Sequence, residues 1–208
     1  MGSFSGDARA VGPVEVEVAA KVGAGTNPTG GLPNPLGFGA GARAGVSFDG
    51  FYAGLSAVYY VGSSGRIDYG VSEYVTGDIS PHALLYGLEV GYGVKVARVL
   101  ELRAQIGGGD DFFGSGGTLS YGCTCNNIVI PPVSVRSSHY LYWEPALTAL
   151  VDFGTLFVGV DVGALILPSG PVVIANGAGP YTVASLPFSD EQKVEGALTA
   201  HGQIGAHF

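Results

Sequence analysis

Residues 36–61, LGFGAGARAGVSFDGFYAGLSAVYYV, decide the fold. Apolar side chains recur at every second position on both sides of the dipeptide Asp49-Gly50, and this is the period of a β-strand. Asp-Gly is a preferred two-residue hairpin loop because both of its residues adopt positive φ. The stretch therefore predicts a hairpin in which Phe48 pairs with Phe51. One face of the hairpin is almost wholly apolar, whereas the other carries glycine, Arg43 and a few polar groups.

The composition narrows the class of protein. The chain has 208 residues, of which 47% are hydrophobic, 12% are charged and 36 are glycine. Its formal net charge of -8 argues against nucleic acid as a partner, because nucleic-acid binding needs a basic surface. No apolar run approaches the roughly 20 residues of a membrane helix. Residues 1–12 are predicted to be a flexible tail without the apolar core of a signal peptide. The chain is therefore either cytosolic or an exported protein whose signal peptide has been removed, and we favour export because the rest of the chain suits an exported protein.

The same alternation predicts eight strands within one domain, residues 13–208. Their predicted ranges are 14–24, 36–48, 51–61, 83–96, 100–106, 140–151, 156–166 and 194–208. Short connections, at 49–50, 97–99 and 153–154, alternate with long ones, at 25–35, 62–82, 107–139 and 167–193. An even number of up-and-down strands places the four long loops at one end and the short turns at the other. Transmembrane barrels have this layout.

A soluble barrel of the lipocalin kind, with its apolar face inside, is the alternative. It is disfavoured because its water-facing surface would be largely glycine and too poor in charge. Aromatic residues also lie near both ends of the strands on the apolar face, as in the two interfacial girdles of a membrane barrel. The girdle residues are Phe38, Tyr59, Tyr86 and Trp143 toward the long loops, and Phe48, Phe51, Tyr92 and Phe208 toward the short turns.

Over residues 14–208 the chain resembles an eight-stranded outer-membrane β-barrel of the OmpA/OmpX-like class. Phe208 resembles the C-terminal aromatic residue of the signal that the outer-membrane assembly machinery reads, although Ala206 stands where a second aromatic residue is often found. The resemblance implies an antiparallel barrel in a bacterial outer membrane, with periplasmic turns and extracellular loops. It also implies membrane lipid and the assembly machinery as partners, and it allows an extracellular ligand.

If the apolar face meets lipid, the opposite face lines a narrow lumen, where buried charges must be paired. The predicted lumen network is Glu15, Glu17, Lys21, Arg43, Glu89, Lys95, Glu101, Arg103, Glu144, Asp161, Glu195 and His201. We predict Glu17 as a counter-ion of Arg43. In the predicted registers, bulky inward residues face glycine: Tyr60 faces Gly39, Val58 faces Gly41, Arg103 faces Gly93, Glu89 faces Gly107, Glu144 faces Gly163 and Thr148 faces Gly159, while Lys95 faces Glu101.

These features predict a structural protein with a largely plugged lumen. A small channel is the alternative, and its excess of inward acids over bases would favour cations. An adhesin or receptor acting through the long loops is a further alternative, because aromatic residues are interspersed there.

Candidate chemistry is sparse, and neither an enzyme nor a cofactor is expected. Cys123 and Cys125 could form a loop disulfide in an oxidising compartment. Ser137, Ser138 and His139 with Glu144 are the candidates for a lipid-modifying site, which would need a nucleophile, a base and an acid in mutual reach. The sequence lacks the His-x-Ser spacing of the deacylase type.

Overall fold

A computed structural model describes residues 14–28, 33–69, 73–123, 133–134, 138–167 and 196–208. Its strands are β1 Glu15–Gly25, β2 Phe38–Phe48, β3 Phe51–Val61, β4 Gly65–Tyr69, β5 Glu73–Lys95, β6 Leu100–Cys123, β7 Val133–Ser134, β8 Ser138–Asp152, β9 Leu156–Leu165 and β10 Ala197–His207. Within these ranges, no helix is long and apolar enough to cross a membrane.

Eight of the strands form a closed antiparallel barrel. The order around the ring is β1-β2-β3-β5-β6-β8-β9-β10, and pairing of β1 with β10 closes it. The short strands β4 and β7 lie outside the ring, on the parts of β5 and β6 that extend beyond it. The predicted all-β, eight-stranded antiparallel barrel is therefore confirmed.

The hairpin in residues 36–61 has the predicted register, with Phe48 opposite Phe51 and Tyr60 opposite Gly39. Asp49 and Gly50 have φ of 48° and 84°, as a tight two-residue hairpin turn requires. The alternation over residues 36–48 predicts Leu36 on the same apolar outer face as Phe38, and this is wrong. Leu36 precedes β2 in a turn held by its N–H donating to Asn34 Oδ1 at 2.9 Å, and its side chain is fully buried inside the barrel.

The predicted ends of the fourth and fifth strands are wrong. Residues 62–82 and 107–139 were assigned to loops, but β5 begins at Glu73 and β6 continues to Cys123. The two strands pair without a break from Lys95 opposite Glu101 to Glu73 opposite Cys123. Beyond the ring, neither face of a strand must meet hydrocarbon, so the period of two that marks the membrane segment is not required there.

The pairing of β8 with β9 also corrects a prediction. The predicted pairing of Thr148 with Gly159 requires Val151 opposite Leu156. Val151 instead pairs with Val158, and Thr148 faces Asp161. The tight turn predicted at 153–154 lies at 154–155, because Phe153 pairs with Leu156: Phe153 N–H donates to the Leu156 carbonyl at 2.8 Å. Gly163 lies opposite Ala146, not Glu144, although the Glu144 side chain still occupies the space that a Cβ on Gly163 would need. In the β5–β6 pair, Arg103 opposite Gly93 and Glu89 opposite Gly107 are confirmed.

Candidate functional site

The outer surface of the barrel is an apolar band. Leu55 on β3, Leu88 on β5 and Leu147 on β8 are 62%, 65% and 70% exposed. The girdle residues predicted from the sequence are all exposed large side chains on this face: Phe38, Phe48, Phe51, Tyr59, Tyr86, Tyr92, Trp143 and Phe208. So large an exposed apolar surface is not tolerated in water, and it matches the lipid-facing surface of a membrane barrel.

The end of the lumen toward the short turns holds an ionic cluster of Glu17, Arg43, Tyr52, Glu101 and Arg103, here called the lower cluster. The Arg103 guanidinium donates two hydrogen bonds to the Glu17 carboxylate, at 2.7 and 3.0 Å, and Arg43 Nη2 donates a third at 3.2 Å. Glu101 Oε1 accepts from Arg103 Nε at 3.0 Å and from Nη2 at 2.9 Å. The paired charges span β1, β2 and β6 and cross the lumen.

Aromatic rings complete the lower cluster. The guanidinium carbons of Arg43 and Arg103 lie 4.9 and 4.4 Å from the centre of the Tyr52 ring, and Arg43 also lies 5.8 Å from the Phe157 ring. Arg43 Nε and Nη1 have no hydrogen-bond partner, so these rings provide the cation–π contacts of that part of the guanidinium. The hydrogen bonds hold both arginine side chains in place, and the aromatic rings pack against their guanidinium groups.

A second group, the middle network, consists of Lys21, Tyr60, Glu89, Asp161 and His201. Lys21 Nζ lies 3.6 Å from Glu89 and 3.4 Å from Asp161. Asp161 Oδ2 is also 2.9 Å from His201 Nδ1, and the Tyr60 hydroxyl is 2.5 Å from His201 Nε2. These side chains link strands β1, β3, β5, β9 and β10 across the interior.

An apolar layer lies in the lumen toward the long loops. Its buried residues are Leu36, Val58, Tyr60, Ala83, Leu85, Tyr140, Tyr142, Leu165, Leu167 and Ala197. Glu144 lies at this level and accepts a hydrogen bond from the Thr199 hydroxyl. The lumen thus contains an ionic cluster, an ion-paired network and an apolar layer in succession.

The remaining members of the predicted lumen network lie at the rim or outside the described residues. The side chain of Lys95 is 62% exposed, and its Nζ is 3.7 Å from Asp152 rather than paired with Glu101, although the two backbones face each other as predicted. Glu15 is also at the rim, 3.9 Å from His207. Glu195 is not among the described residues.

Asp111 is a buried acid that the sequence reasoning missed, because it was assigned to a loop. It faces Leu85 and Tyr140 across the sheet, is fully buried, and neither carboxylate oxygen has a hydrogen-bond partner. Asp111 lies just outside the membrane-spanning part of β6, since Asp110, the outward residue before it, is polar and its side chain is 31% exposed. Burial, together with the charges of Asp110 and Glu144, raises the pKa of Asp111 to about 8. Continuing the alternation past Ile106 would have placed this residue inward.

The outer edge of the apolar band carries a polar group of Tyr86, Asp110 and His139. Asp110 Oδ2 accepts a hydrogen bond from the Tyr86 hydroxyl at 2.7 Å and lies 2.6 Å from His139 Nδ1. Partial burial of Asp110 opposes ionisation, but the hydrogen bonds from Tyr86 and His139 outweigh it and hold the pKa of Asp110 below its usual value.

This geometry does not assemble the lipid-modifying site considered from the sequence. His139 lies on the outward face with Asp110, whereas Glu144 points inward to Thr199. Ser137 lies outside the described residues. In the described part of the chain, no three His, Cys, Asp or Glu side chains come together as metal ligands. Cys125 also lies outside the described residues, so its disulfide with Cys123 stays a prediction.

Comparison with solved structures identifies the fold. A major outer membrane protein from Thermus thermophilus superposes with a TM-score of 0.57 at 14% identity, covering 95% of this chain and all of that one. The fold is that of an eight-stranded outer-membrane β-barrel. Neisserial surface protein A, with a TM-score of 0.47 at 10% identity, and Ail of Yersinia pestis, with 0.38 at 8%, each cover at least 94% of this chain and 97% of their own.

No protein-family model and no curated protein matches the sequence. At these low identities the comparison concerns the outer-membrane barrel fold alone. The predicted OmpA/OmpX-like architecture is confirmed at that level, and the exposed apolar band agrees with the predicted location in a bacterial outer membrane.

Proposed function

We propose that this protein is a non-enzymatic, structural barrel of the bacterial outer membrane, with a plugged lumen and its long loops outside the cell. The contact of Glu17 with both Arg43 and Arg103 carries the proposal. Eight strands leave an interior just wide enough for side chains, and these three fill the lumen at one level while the apolar layer fills it at another. Membrane lipid is the partner of the apolar band. Exposed Phe208 supports recognition by the assembly machinery.

Conductance tests the plugged lumen. Purified wild-type protein in planar bilayers is expected to give no steady current, whereas Arg43→Ala combined with Arg103→Ala removes two bulky side chains and should give a small one. Lys95→Ala, at the exposed rim, is the matched control and should remain silent. Heat-modifiable gel migration shows that each variant is folded. Steady cation-selective current from the wild type would contradict this proposal and favour the channel alternative. The excess of inward acids over inward bases supports that alternative.

A second function rests on the strands outside the ring. β4, the outer parts of β5 and β6, and β7 form a four-stranded sheet that projects beyond the barrel. A sheet that projects beyond the barrel is a suitable scaffold for binding an extracellular ligand, as in an adhesin or receptor. Replacing residues 66–78 and 119–133 with short turns should abolish binding of protein-bearing cells to host cells or matrix. Binding that survives both replacements would exclude this role.

A further inference from the structure

The mouth of the lumen at the short-turn end carries four charged or titratable side chains outside the lower cluster, here called the mouth group: Glu15, Lys95, Asp152 and His207. His207 Nε2 lies 3.2 Å from Asp152 Oδ1, and His207 Nδ1 lies 3.9 Å from Glu15 Oε2. Lys95 Nζ lies 3.7 Å from Asp152 Oδ2. The mouth group therefore connects β1, β5, β8 and β10.

His207 has a carboxylate beside each of its two ring nitrogens. A neutral imidazole has one N–H, so in either tautomer a nitrogen lone pair faces one of these carboxylates, whereas an imidazolium has an N–H for each. His207 Nδ1 and Asp152 Oδ1 are shielded from solvent, and neither has a hydrogen-bond partner. The Phe157 ring packs against the imidazole with centres 4.7 Å apart, which limits the positions that the imidazole can take. This geometry suits the doubly protonated ring.

The other acids near His207 already have cationic partners. Glu17 lies opposite His207 on β1, but its carboxylate accepts hydrogen bonds from Arg43 and Arg103. Glu101 on β6 accepts from Arg103. The contacts of His207 with β9 are the Phe157 ring and the Thr155 carbonyl oxygen, which carry no charge. The mouth group itself has two acids and one lysine, so protonation of His207 makes it electrically neutral.

We propose that His207 is a pH-dependent switch that stabilises the short-turn end of the seam between β1 and β10. Histidine changes its charge between about pH 5 and 8. At the acidic end of that range, His207 bonds both Glu15 and Asp152 and ties the end of β10 to β1 and β8. At the alkaline end it loses one of these bonds. Because the carboxylates favour the charged ring in the folded barrel, the stabilisation is present at low pH and lost as the pH rises.

Hydrogen exchange of single backbone amides, followed by NMR of the barrel in lipid nanodiscs, tests the switch. Val16 N–H donates to the Phe208 carbonyl at 3.0 Å, and Phe208 N–H donates to the Val16 carbonyl at 2.9 Å. Relative to intrinsic exchange at each pH, both amides should be protected at least about tenfold more at pH 5.5 than at pH 8. This is the factor expected for one hydrogen bond to a charged group. Thr26 N–H, bonded to the Leu198 carbonyl at the other end of the same seam, is the internal control and should not change.

His207→Gln should abolish the pH dependence at Val16 and Phe208, because glutamine forms hydrogen bonds but does not titrate in this range. Glu15→Gln combined with Asp152→Asn should abolish it as well, with the histidine left in place. His82→Gln is the matched control: His82 stacks on Tyr59 and Phe112 and forms no ion pair in the described part of the chain, so the pH dependence should persist. Protection at Val16 that does not change with pH, that changes equally at Thr26, or that keeps its pH dependence in His207→Gln would overturn the proposal.

Discussion

Among substitutions in the lower cluster, Glu17→Gln should lower the free energy of unfolding most strongly. The Glu17 carboxylate accepts from Arg103 at 2.7 and 3.0 Å and from Arg43 at 3.2 Å, and all three side chains are buried. Glutamine keeps the shape but removes the charge and turns an NH₂ group toward a guanidinium. Arg103 keeps Glu101 as an acid partner, but Arg43 has no other salt bridge among the described residues.

Removing one member of a buried ion pair costs about 3–5 kcal/mol, because the other charge stays buried without its partner. We expect this loss in the free energy of unfolding, measured by urea titration in lipid vesicles and followed by the fluorescence of the single tryptophan, Trp143. Lys95→Gln is the matched control. Its Nζ lies 3.7 Å from Asp152 and its side chain is 62% exposed, so the loss should stay below about 1 kcal/mol.

A double-mutant cycle of Glu17→Gln with Arg43→Met isolates the pair. The two losses should be non-additive by more than about 1 kcal/mol, since the side chains are in direct contact. If Glu17→Gln stayed within about 0.5 kcal/mol of the wild type, as surface substitutions do, the charges would not be held in a desolvated lumen and the reasoning would be refuted.

Three further outcomes are expected. Gly45→Ala should lower the free energy of unfolding by about 1–3 kcal/mol, because its Cβ would lie 2.6 Å from the Ala53 carbonyl oxygen. Gly202→Ala should be tolerated, because no atom would lie closer than 3.9 Å to its Cβ. Urea titration compares the stabilities of the two variants. Asp111→Asn should raise the free energy of unfolding. Because the pKa of Asp111 is raised, the wild type loses stability as the pH rises from about 4 toward 8, and the advantage of the variant should grow over that range. An advantage that does not change with pH would contradict this reasoning. Cys123 and Cys125 should react with an alkylating reagent only after reduction, as mass spectrometry would show; alkylation without reductant would exclude the disulfide.

The sequence predicts the barrel well because lipid outside and a polar lumen inside impose a strict alternation on each spanning strand. This is why the pairing of Phe48 with Phe51 and of Arg103 with Gly93 could be predicted from spacing alone. The outer parts of β5 and β6 were not predicted as strands, because a strand outside the membrane does not need the alternation that marks the membrane-spanning segment.

Registers depend on turn geometry, and there the sequence was less informative. Asp49-Gly50 specifies one type of turn, whereas Phe153-Gly154 does not. The position of that second turn sets the register, and this is why Thr148 pairs with Asp161 and not with Gly159 as predicted. The lumen contacts could be predicted only in part. Placing Arg43 and Glu17 both inside the lumen needs the alternation alone, whereas the stacking of both arginines on Tyr52 depends on side-chain conformations across the barrel.

The central claim is that the apolar face meets lipid, and Leu55→Arg tests it most directly. Leu55 lies midway between the girdle residues Phe51 and Tyr59 on β3 and is 62% exposed. A transmembrane barrel predicts a loss of about 2–4 kcal/mol in the free energy of unfolding in lipid vesicles, falling to about 0–1 kcal/mol for Val99→Arg in the short turn. Equal, negligible effects of the two arginines would contradict the account, since an exposed leucine on a soluble barrel can be replaced by arginine at little cost.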